Sequence, residues 1–264
     1  MFMGQQSSIK LPATFEEQLH ILKRRGLVVE DDDFAIRALQ RINYYRLSAY
    51  GLSLKNEDQY RPGTTFSQIY SLYEFDHRFR YIIMEMTEQV EIAFRTHISY
   101  HIAHAYGPVG HYESVNFEKA AFHAAFLAEL DKEIKRSQEI FVHIAKSYYQ
   151  LPAVYLESWL KCLSYIRNIC AHYGRLYNRP LTSKPRLYSK EKSTGIRQDR
   201  VFAHIYVLKQ MISDRDKWNN SFVVRLQSLL AIEEVNLEEF AYAQLRRQAP
   251  FCIEVCEKGT GFAD

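Results

Sequence analysis

The sequence predicts an all-α fold, and three observations lead to that class. Only 10 Gly and 7 Pro occur among 264 residues, a scarcity that favours long helices over many turns. Hydrophobic residues make up 47% of the chain and aromatic residues 14%, so the protein can bury a substantial core and is not disordered by composition. Between residues 66 and 105, apolar side chains recur at spacings of three and four, which is typical of the buried face of a helix.

Two short helices are predicted near the N-terminus, followed by a loop. Thr14 and Glu17 fit a capping box that begins the first helix, and Gly26 is placed to end it. The three aspartates at 31–33 favour the N-terminus of the second helix, because they can cap its amides and are attracted to the positive end of its dipole. We prefer this interpretation to a metal site. Residues 51–64 are rich in turn formers and predict a loop.

A long helix is predicted over residues 66–105, and Gly107-Pro108 would end it. If unbroken, this helix would be about 60 Å long, because each residue adds about 1.5 Å along the axis. Since that length exceeds the usual size of a small domain, we expect a bend or break near Asp76.

Three histidines of this long helix, His97, His101 and His104, are spaced so that they share one helix face. Histidine pairs at this spacing can bind zinc. Here, however, Glu does not follow His97 as in an HExxH motif, and no Cys or Asp nearby completes a set of ligands. We therefore expect these side chains to have packing or capping roles, and we predict no metal site.

The second half of the chain is predicted to contain further helices and one long loop. The expected helices cover residues 118–149, a segment that begins at Pro152, and residues 199–213 and 216–231, while 179–198 form the loop. This pattern predicts an N-terminal helical extension (1–64), a helical core (65–232) and a C-terminal tail (233–264) of uncertain structure.

The candidate functional motif lies in residues 167–172, which contain an arginine, an amide and a histidine. Asn168, His172 and Arg175 are spaced to share one helix face, and the long side chain of Arg167 can reach the same place. Imidazole transfers protons near neutral pH, and guanidinium binds phosphate, so this combination suits the cleavage of RNA. Cys170 points to another face of the helix, which favours a small core residue over a nucleophile.

Two other groups of residues are candidates for supporting this motif. Glu91 and Arg95 form a pair four residues apart that is either a surface salt bridge or a support that orients the motif. After the motif, basic residues and tyrosines alternate, a composition that suits phosphates and unstacked bases of single-stranded RNA. The predicted RNA-binding residues are Tyr173, Tyr177, Arg179, Lys184, Arg186, Lys190 and Lys192.

The charge, hydrophobicity and cysteine content of the sequence indicate which classes of protein the chain can belong to. The net charge of +3 permits a nucleic-acid partner without requiring one. No stretch approaches about 18 consecutive apolar residues, and residues 1–10 lack the apolar core of a signal peptide, so we expect no membrane association. The 4 Cys residues have no framework spacing, which favours a reduced, cytoplasmic protein.

The motif Arg167-Asn168-x-x-x-His172 resembles the Arg-x4–6-His motif of HEPN domains, including the polar residue after the arginine. More narrowly, the longer segment 166–178 resembles the Abi_2 (AbiD/AbiF-like) abortive-infection family. Other segments are also similar in amino-acid sequence to that family and occur in the same order as in the family: 22–26, 42–50, 72–80 and 90–96. The similarity extends over roughly residues 15–230.

This resemblance implies a HEPN-like helical bundle with a small N-terminal extension, which forms a homodimer with the two motif helices in one cleft. It also implies a metal-independent endoribonuclease of a phage-defence or toxin–antitoxin system, without a cofactor. Arg167, Asn168 and His172 match the catalytic motif residue for residue, and Glu91, Arg95 and Arg175 would support them. Two alternatives stay open: a non-cleaving module that senses or binds a structured noncoding RNA, and a purely structural, buried cluster of Arg, Asn and His.

Overall fold

The computed structural model of the protein describes residues 12–108, 138–189 and 196–231. Its helices are α1 (Phe15–Arg24), α2 (Asp32–Arg41), α3 (Tyr44–Ser48), α4 (Phe66–Tyr106), α5 (Gln138–Tyr148), α6 (Ala153–Ala171), α7 (Val201–Met211), α8 (Arg215–Lys217) and α9 (Val224–Leu230). A 3-10 turn covers Ala49–Leu54, and a π-helical turn, Trp218–Val223, joins α8 to α9. Within these ranges the only sheet is the antiparallel pair β1 (Lys55–Asn56) and β2 (Gln59–Tyr60). The predicted all-α class is confirmed.

The chain divides into two compact units, Met1–Glu74 and Phe75–Asp264. All of the candidate functional residues belong to the second unit. The domain boundaries drawn from the sequence stay predictions, and the C-terminal tail at 233–264 lies outside the described residues.

The first unit has the helix ends that its sequence predicts. The backbone N–H of Glu17 donates to Thr14 Oγ1 (3.2 Å), and the backbone N–H of Thr14 donates to a carboxylate oxygen of Glu17 (2.7 Å), so the capping box of α1 is confirmed. The chain leaves α1 through Gly26, which adopts a φ of +82° that suits glycine. The carboxylate of Asp31 accepts from the backbone N–H of Phe34 (2.8 Å), which confirms the predicted cap of α2.

The predicted loop at residues 51–64 is more ordered than expected. It contains the end of the 3-10 turn and a short hairpin in which Lys55 pairs with Tyr60. Glu57 supplies the left-handed backbone (φ 55°) that a tight hairpin turn needs. The hairpin is stabilised by the ammonium group of Lys55, which lies over the ring of Tyr60, 4.4 Å from its centroid.

The structure shows no break near Asp76, since α4 runs without interruption over 41 residues, while the alternative of a bend there stays a prediction. Its sequence contains no Gly or Pro that would interrupt the backbone hydrogen bonds. The Asp76 side chain is fully buried, and one turn later Arg80 Nη1 donates to its carboxylate at 2.5 Å. The pair therefore satisfies the buried charge within a continuous helix. As predicted, the helix ends before Gly107, which has a φ of +89°.

The Asp76 carboxylate also holds a segment one hundred residues away in the sequence. The backbone N–H groups of Leu176 and Tyr177 donate to it at 3.1 and 2.8 Å. The ring of Tyr177 packs edge-on against Phe75, with 5.6 Å between centroids. The chain that follows α6 is thus fixed to α4 by charge-assisted hydrogen bonds and by an aromatic contact.

Among the remaining helices of the second unit, α5 and α7 both contact α6. As predicted, Pro152 precedes the first residue of α6. Only α5 of the helix predicted at 118–149 lies within the described residues. Residues 179–188 form no helix, in agreement with the predicted loop, and the last two predicted helices are found as α7 and the α8–α9 segment.

We predict that Asp76→Ala lowers the free energy of unfolding by about 3 kcal/mol or more, because it leaves the Arg80 guanidinium buried without its carboxylate. A matched control is Glu85→Ala, which removes an α4 carboxylate that pairs with Arg225 at 2.5 Å in a partly exposed position. That change is expected to lower stability by about 0.5 kcal/mol. Urea unfolding of the two variants measures the difference, and equal losses would contradict the role assigned to Asp76.

Candidate functional site

The motif lies across the C-terminal end of α6. Arg167 and Asn168 belong to its last turns, and His172 follows the final helical residue, Ala171, as the capping residue. The backbone N–H of His172 donates to the carbonyl of Asn168 at 3.0 Å, so the two side chains are one turn apart as predicted.

Beyond His172 the backbone reverses in a Schellman turn. The backbone N–H of Tyr173 donates to the carbonyl of Cys170 (3.0 Å), and that of Gly174 donates to the carbonyl of Ile169 (2.7 Å). A Cβ at Gly174 would lie 2.9 Å from Cγ2 of Ile169, so a side chain at this position would collide with the helix. The turn thus requires a glycine at the second position after the motif.

The predicted position of Arg175 is wrong, because the helix ends before it. Arg175 was predicted to share a helix face with Asn168 and His172, but α6 ends at Ala171 and Arg175 lies beyond the turn, half-buried. Its neighbour Leu176 donates its backbone N–H to Asp76. Arg175 is therefore positioned by the anchored turn and not by helical spacing.

A glutamate of α4 connects the motif to a second arginine. One carboxylate oxygen of Glu91 lies 2.5 Å from Nη2 of Arg95, and the other lies 3.8 Å from Nε of Arg167. Side-chain exposure is 31% for Glu91, 43% for Arg95 and 45% for Arg167, so the three charges lie at the surface. The structure thus brings the predicted supporting pair, Glu91 and Arg95, next to Arg167. Together the three side chains carry a net charge of +1.

The guanidinium of Arg167 is held from a second side by Asn168, whose Oδ1 accepts from Arg167 Nη1 at 3.2 Å. A guanidinium carries five N–H donors, so these two contacts leave donors that can bind phosphate oxygens. Arg167, Asn168 and His172 are all exposed. Their exposure contradicts the alternative of a buried structural cluster.

Cys170 has the structural role that its position predicted. It is 5% exposed, and burial, reinforced by the negative charge of Asp76, raises the pKa of its thiol to about 12. A thiol in such surroundings stays protonated and unreactive at neutral pH. The nearby imidazole of His172 therefore has no thiolate partner in Cys170.

The predicted RNA-binding residues are placed at different distances from the motif. Arg179 is half-buried and lies beside the Schellman turn that follows His172. Its Nη1 is close enough to Gly174 that a Cβ added there would lie 3.6 Å from it. The backbone of Arg186 bonds to Ser158 and to the indole of Trp159, which are about 15 Å along α6 from Asn168. Residues 179–188 extend from the motif towards the N-terminal part of α6, and the side chains of Lys184 and Arg186 are exposed along this segment. Lys190 and Lys192 lie outside the described residues.

The two tyrosines of the predicted RNA surface differ in exposure. Tyr177 is only 1% exposed, because its ring packs on Phe75 and its backbone is bound to Asp76, so the prediction that it contacts RNA is wrong. Tyr173 is 64% exposed and lies next to His172.

Sequence reasoning missed Asp76 and Arg80, the residues that position the turn after α6. Each follows a phenylalanine, but Glu74, His77 and Arg78 lie among them, so the segment is not apolar and does not mark them as buried. Their spacing of four residues is the one signal of a pair, and charged residues are seldom buried unless they are paired.

Two further findings concern other classes of function. Within residues 12–108, 138–189 and 196–231, no three His, Cys, Asp or Glu side chains are grouped so that they could hold a metal ion. His97, one of the three histidines considered for zinc, stacks on Tyr148 with 3.7 Å between ring centroids. No helix in the described part of the chain is long and apolar enough to cross a membrane.

Comparison with known proteins identifies the family. A family model, Abi_2, described as Abi-like protein, matches residues 37–154 and 142–178. Together these matches cover more than half of the 264 residues and include the whole motif with its turn. No curated protein and no solved structure matches the chain. The chain belongs to the Abi_2 family of Abi-like proteins.

Proposed function

We propose that the protein is a metal-independent endoribonuclease whose catalytic residues are Arg167, Asn168 and His172. The observation that carries the proposal is the arrangement at the end of α6: an exposed guanidinium held by Glu91 and Asn168, one turn before an exposed imidazole. Such preorganisation has value where charge develops in a reaction, and it adds little to stability at an exposed position.

RNA provides its own nucleophile, the 2′-hydroxyl, so the protein needs only to move protons and to stabilise charge. His172 accepts the 2′-hydroxyl proton or donates a proton to the departing 5′-oxygen. Arg167 binds the phosphate and offsets the charge that grows on it as the 2′-oxygen attacks. Asn168 orients the guanidinium. The products are a 2′,3′-cyclic phosphate and a 5′-hydroxyl.

The motif supplies one histidine in each chain, whereas the reaction requires a base and an acid. A homodimer in which two motif helices face one cleft would provide a second His172, so that each imidazole performs one proton transfer. The proposed active form is therefore a homodimer with a composite site.

Membership of the Abi-like family suggests a role in abortive infection, a form of phage defence. An endoribonuclease fits that role because degrading RNA in an infected cell stops both host and phage synthesis. We propose that the protein acts in this way within a phage-defence or toxin–antitoxin system, together with a partner that restrains it.

We predict that the purified protein cleaves RNA in EDTA and that His172→Ala lowers the rate by about 10²–10⁴-fold, the usual contribution of a general acid or base. Because His172 is exposed, its replacement should leave the melting temperature unchanged. Gel analysis of the cleaved RNA and thermal unfolding test both statements. Loss of cleavage in EDTA with recovery on adding one divalent metal would overturn the mechanism.

We further predict that Glu91→Gln lowers kcat by about tenfold or more, because the arginine beside the phosphate loses the carboxylate that orients it. Glu85→Gln is the matched control: Glu85 is also on α4, is exposed to a similar degree and pairs with Arg225 at 2.5 Å. It should cleave RNA like the unmodified protein. Equal kcat values for the two variants would remove Glu91 from the site.

The alternative, a module that binds a structured noncoding RNA without cleaving it, makes different predictions for the same proteins. RNA would stay intact under all conditions, while His172→Ala and Glu91→Gln would change the affinity for RNA. Intact RNA bound by well-folded protein would favour this alternative over the nuclease.

A further inference from the structure

Tyr173 has an unusual backbone conformation for its residue type. It occupies the left-handed position of the Schellman turn with a φ of +56°. This position is usually taken by Gly, and sometimes by Asn, because the Cβ of other residues approaches the neighbouring carbonyl too closely. A bulky aromatic residue with positive φ is an outlier that lowers stability relative to glycine.

Burial does not explain why a tyrosine occupies this position. The residue is 64% exposed, so its ring removes little apolar surface from water. Tyr177, four residues on, shows the opposite arrangement, with a ring that is 1% exposed and packed on Phe75. Departures from local conformational preference, such as a positive φ at a bulky and largely exposed residue, are concentrated at functional sites.

The orientation of the Tyr173 backbone is fixed on both sides. Its own N–H and that of Gly174 bond to the end of α6, and the amides of Leu176 and Tyr177 bond to the buried Asp76 carboxylate. The exposed aromatic ring is therefore carried on a rigid turn, one residue from the proposed catalytic imidazole.

We propose that Tyr173 forms a subsite for an unpaired nucleobase next to the scissile phosphate. This inference rests on the proposed function and names its substrate class: single-stranded RNA, such as loops and unpaired ends. An exposed aromatic ring binds a base by stacking on its face, which every base presents only when it is unstacked from its neighbours. A base within a duplex does not offer that face, so paired RNA is excluded from the site.

The stacked base also positions the reacting groups. Because the ring is one residue from His172, a base held on it brings the adjoining ribose and phosphate to the imidazole and to Arg167. Tyr173 is thus a positioning and specificity residue, and its ring takes no part in proton transfer.

The decisive variant is Tyr173→Gly, since glycine is the residue that the turn prefers. A structural role for the tyrosine and a base-binding role predict opposite results. We expect Tyr173→Gly to keep the melting temperature or raise it by up to about 4 °C, and to bind single-stranded RNA about tenfold more weakly or worse. Tyr173→Phe should bind like the unmodified protein, and Tyr173→Leu should bind weakly.

Gln150→Gly is the matched control for the backbone change. Gln150 is also exposed and has a φ of 53°, but it lies just before the opposite end of α6. Its replacement by glycine should have a similar effect on melting temperature and should leave RNA binding unchanged. If Tyr173→Gly and Gln150→Gly bind RNA equally well, or if Tyr173→Leu binds like Tyr173→Phe, the subsite is refuted.

Two RNA probes separate this inference from the nuclease proposal. A single-stranded oligonucleotide that contains 2-aminopurine reports stacking through fluorescence quenching, whether or not it is cut, and its duplex with a complementary strand should show no binding-dependent change. Quenching that depends on Tyr173, without cleavage of any RNA, would support the subsite and contradict the nuclease. Cleavage of duplex as fast as single strand, or cleavage unaffected by Tyr173→Gly, would contradict the subsite and leave the nuclease standing.

Discussion

The candidate site depends on one buried carboxylate. Asp76 lies in the first third of α4, is shielded from water and accepts hydrogen bonds from Arg80 and from two backbone amides beyond α6. A buried charge is tolerated only when it is paired and fully hydrogen-bonded, so the chain after α6 must return to this point on α4. That requirement fixes the turn on which the motif histidine lies.

The same geometry places the candidate catalytic side chains at the surface and the residues beneath them in the core. The turn and the end of α6 are held from beneath by Asp76, Ile169 and Cys170, all of them buried. On the outer side, a carboxylate oxygen of Glu91 on α4 lies 3.8 Å from Nε of Arg167 and forms a surface ion pair with it. Side chains that are held by rigid elements but face solvent can bind a large substrate without rearranging, as an enzyme acting on RNA requires.

Much of the local structure followed from the sequence, because it depends on neighbouring residues. The caps at Thr14 and Asp31, and the stop at Gly107, follow from short-range hydrogen bonding and backbone preference. The break expected in α4 rested on the length of the helix, and the RNA contact expected of Tyr177 rested on its residue type. Neither signal shows that Asp76 and Tyr177 are bonded to each other across about one hundred residues of sequence.

In the candidate site too, features set by neighbouring residues could be predicted from the sequence, and features set by tertiary contacts could not. The spacing of Asn168 and His172 was readable from the sequence, and so was the pair Glu91–Arg95. The position of Arg175 was not, since the helix ends at Ala171 in a turn that requires Gly174. That Glu91 reaches Arg167 is a tertiary contact, which spacing alone does not reveal.

Removing the 2′-hydroxyl from the substrate tests the proposal that the motif cleaves RNA through that group. Once a cleavage position has been mapped in an RNA oligonucleotide, the same molecule is prepared with a single 2′-deoxy nucleotide on the 5′ side of the scissile phosphate. If the 2′-oxygen is the nucleophile, this bond resists the protein while the remaining sites are still cut. Cleavage of the modified bond at the original rate would show that water, and not the 2′-oxygen, is the nucleophile, and would contradict the mechanism.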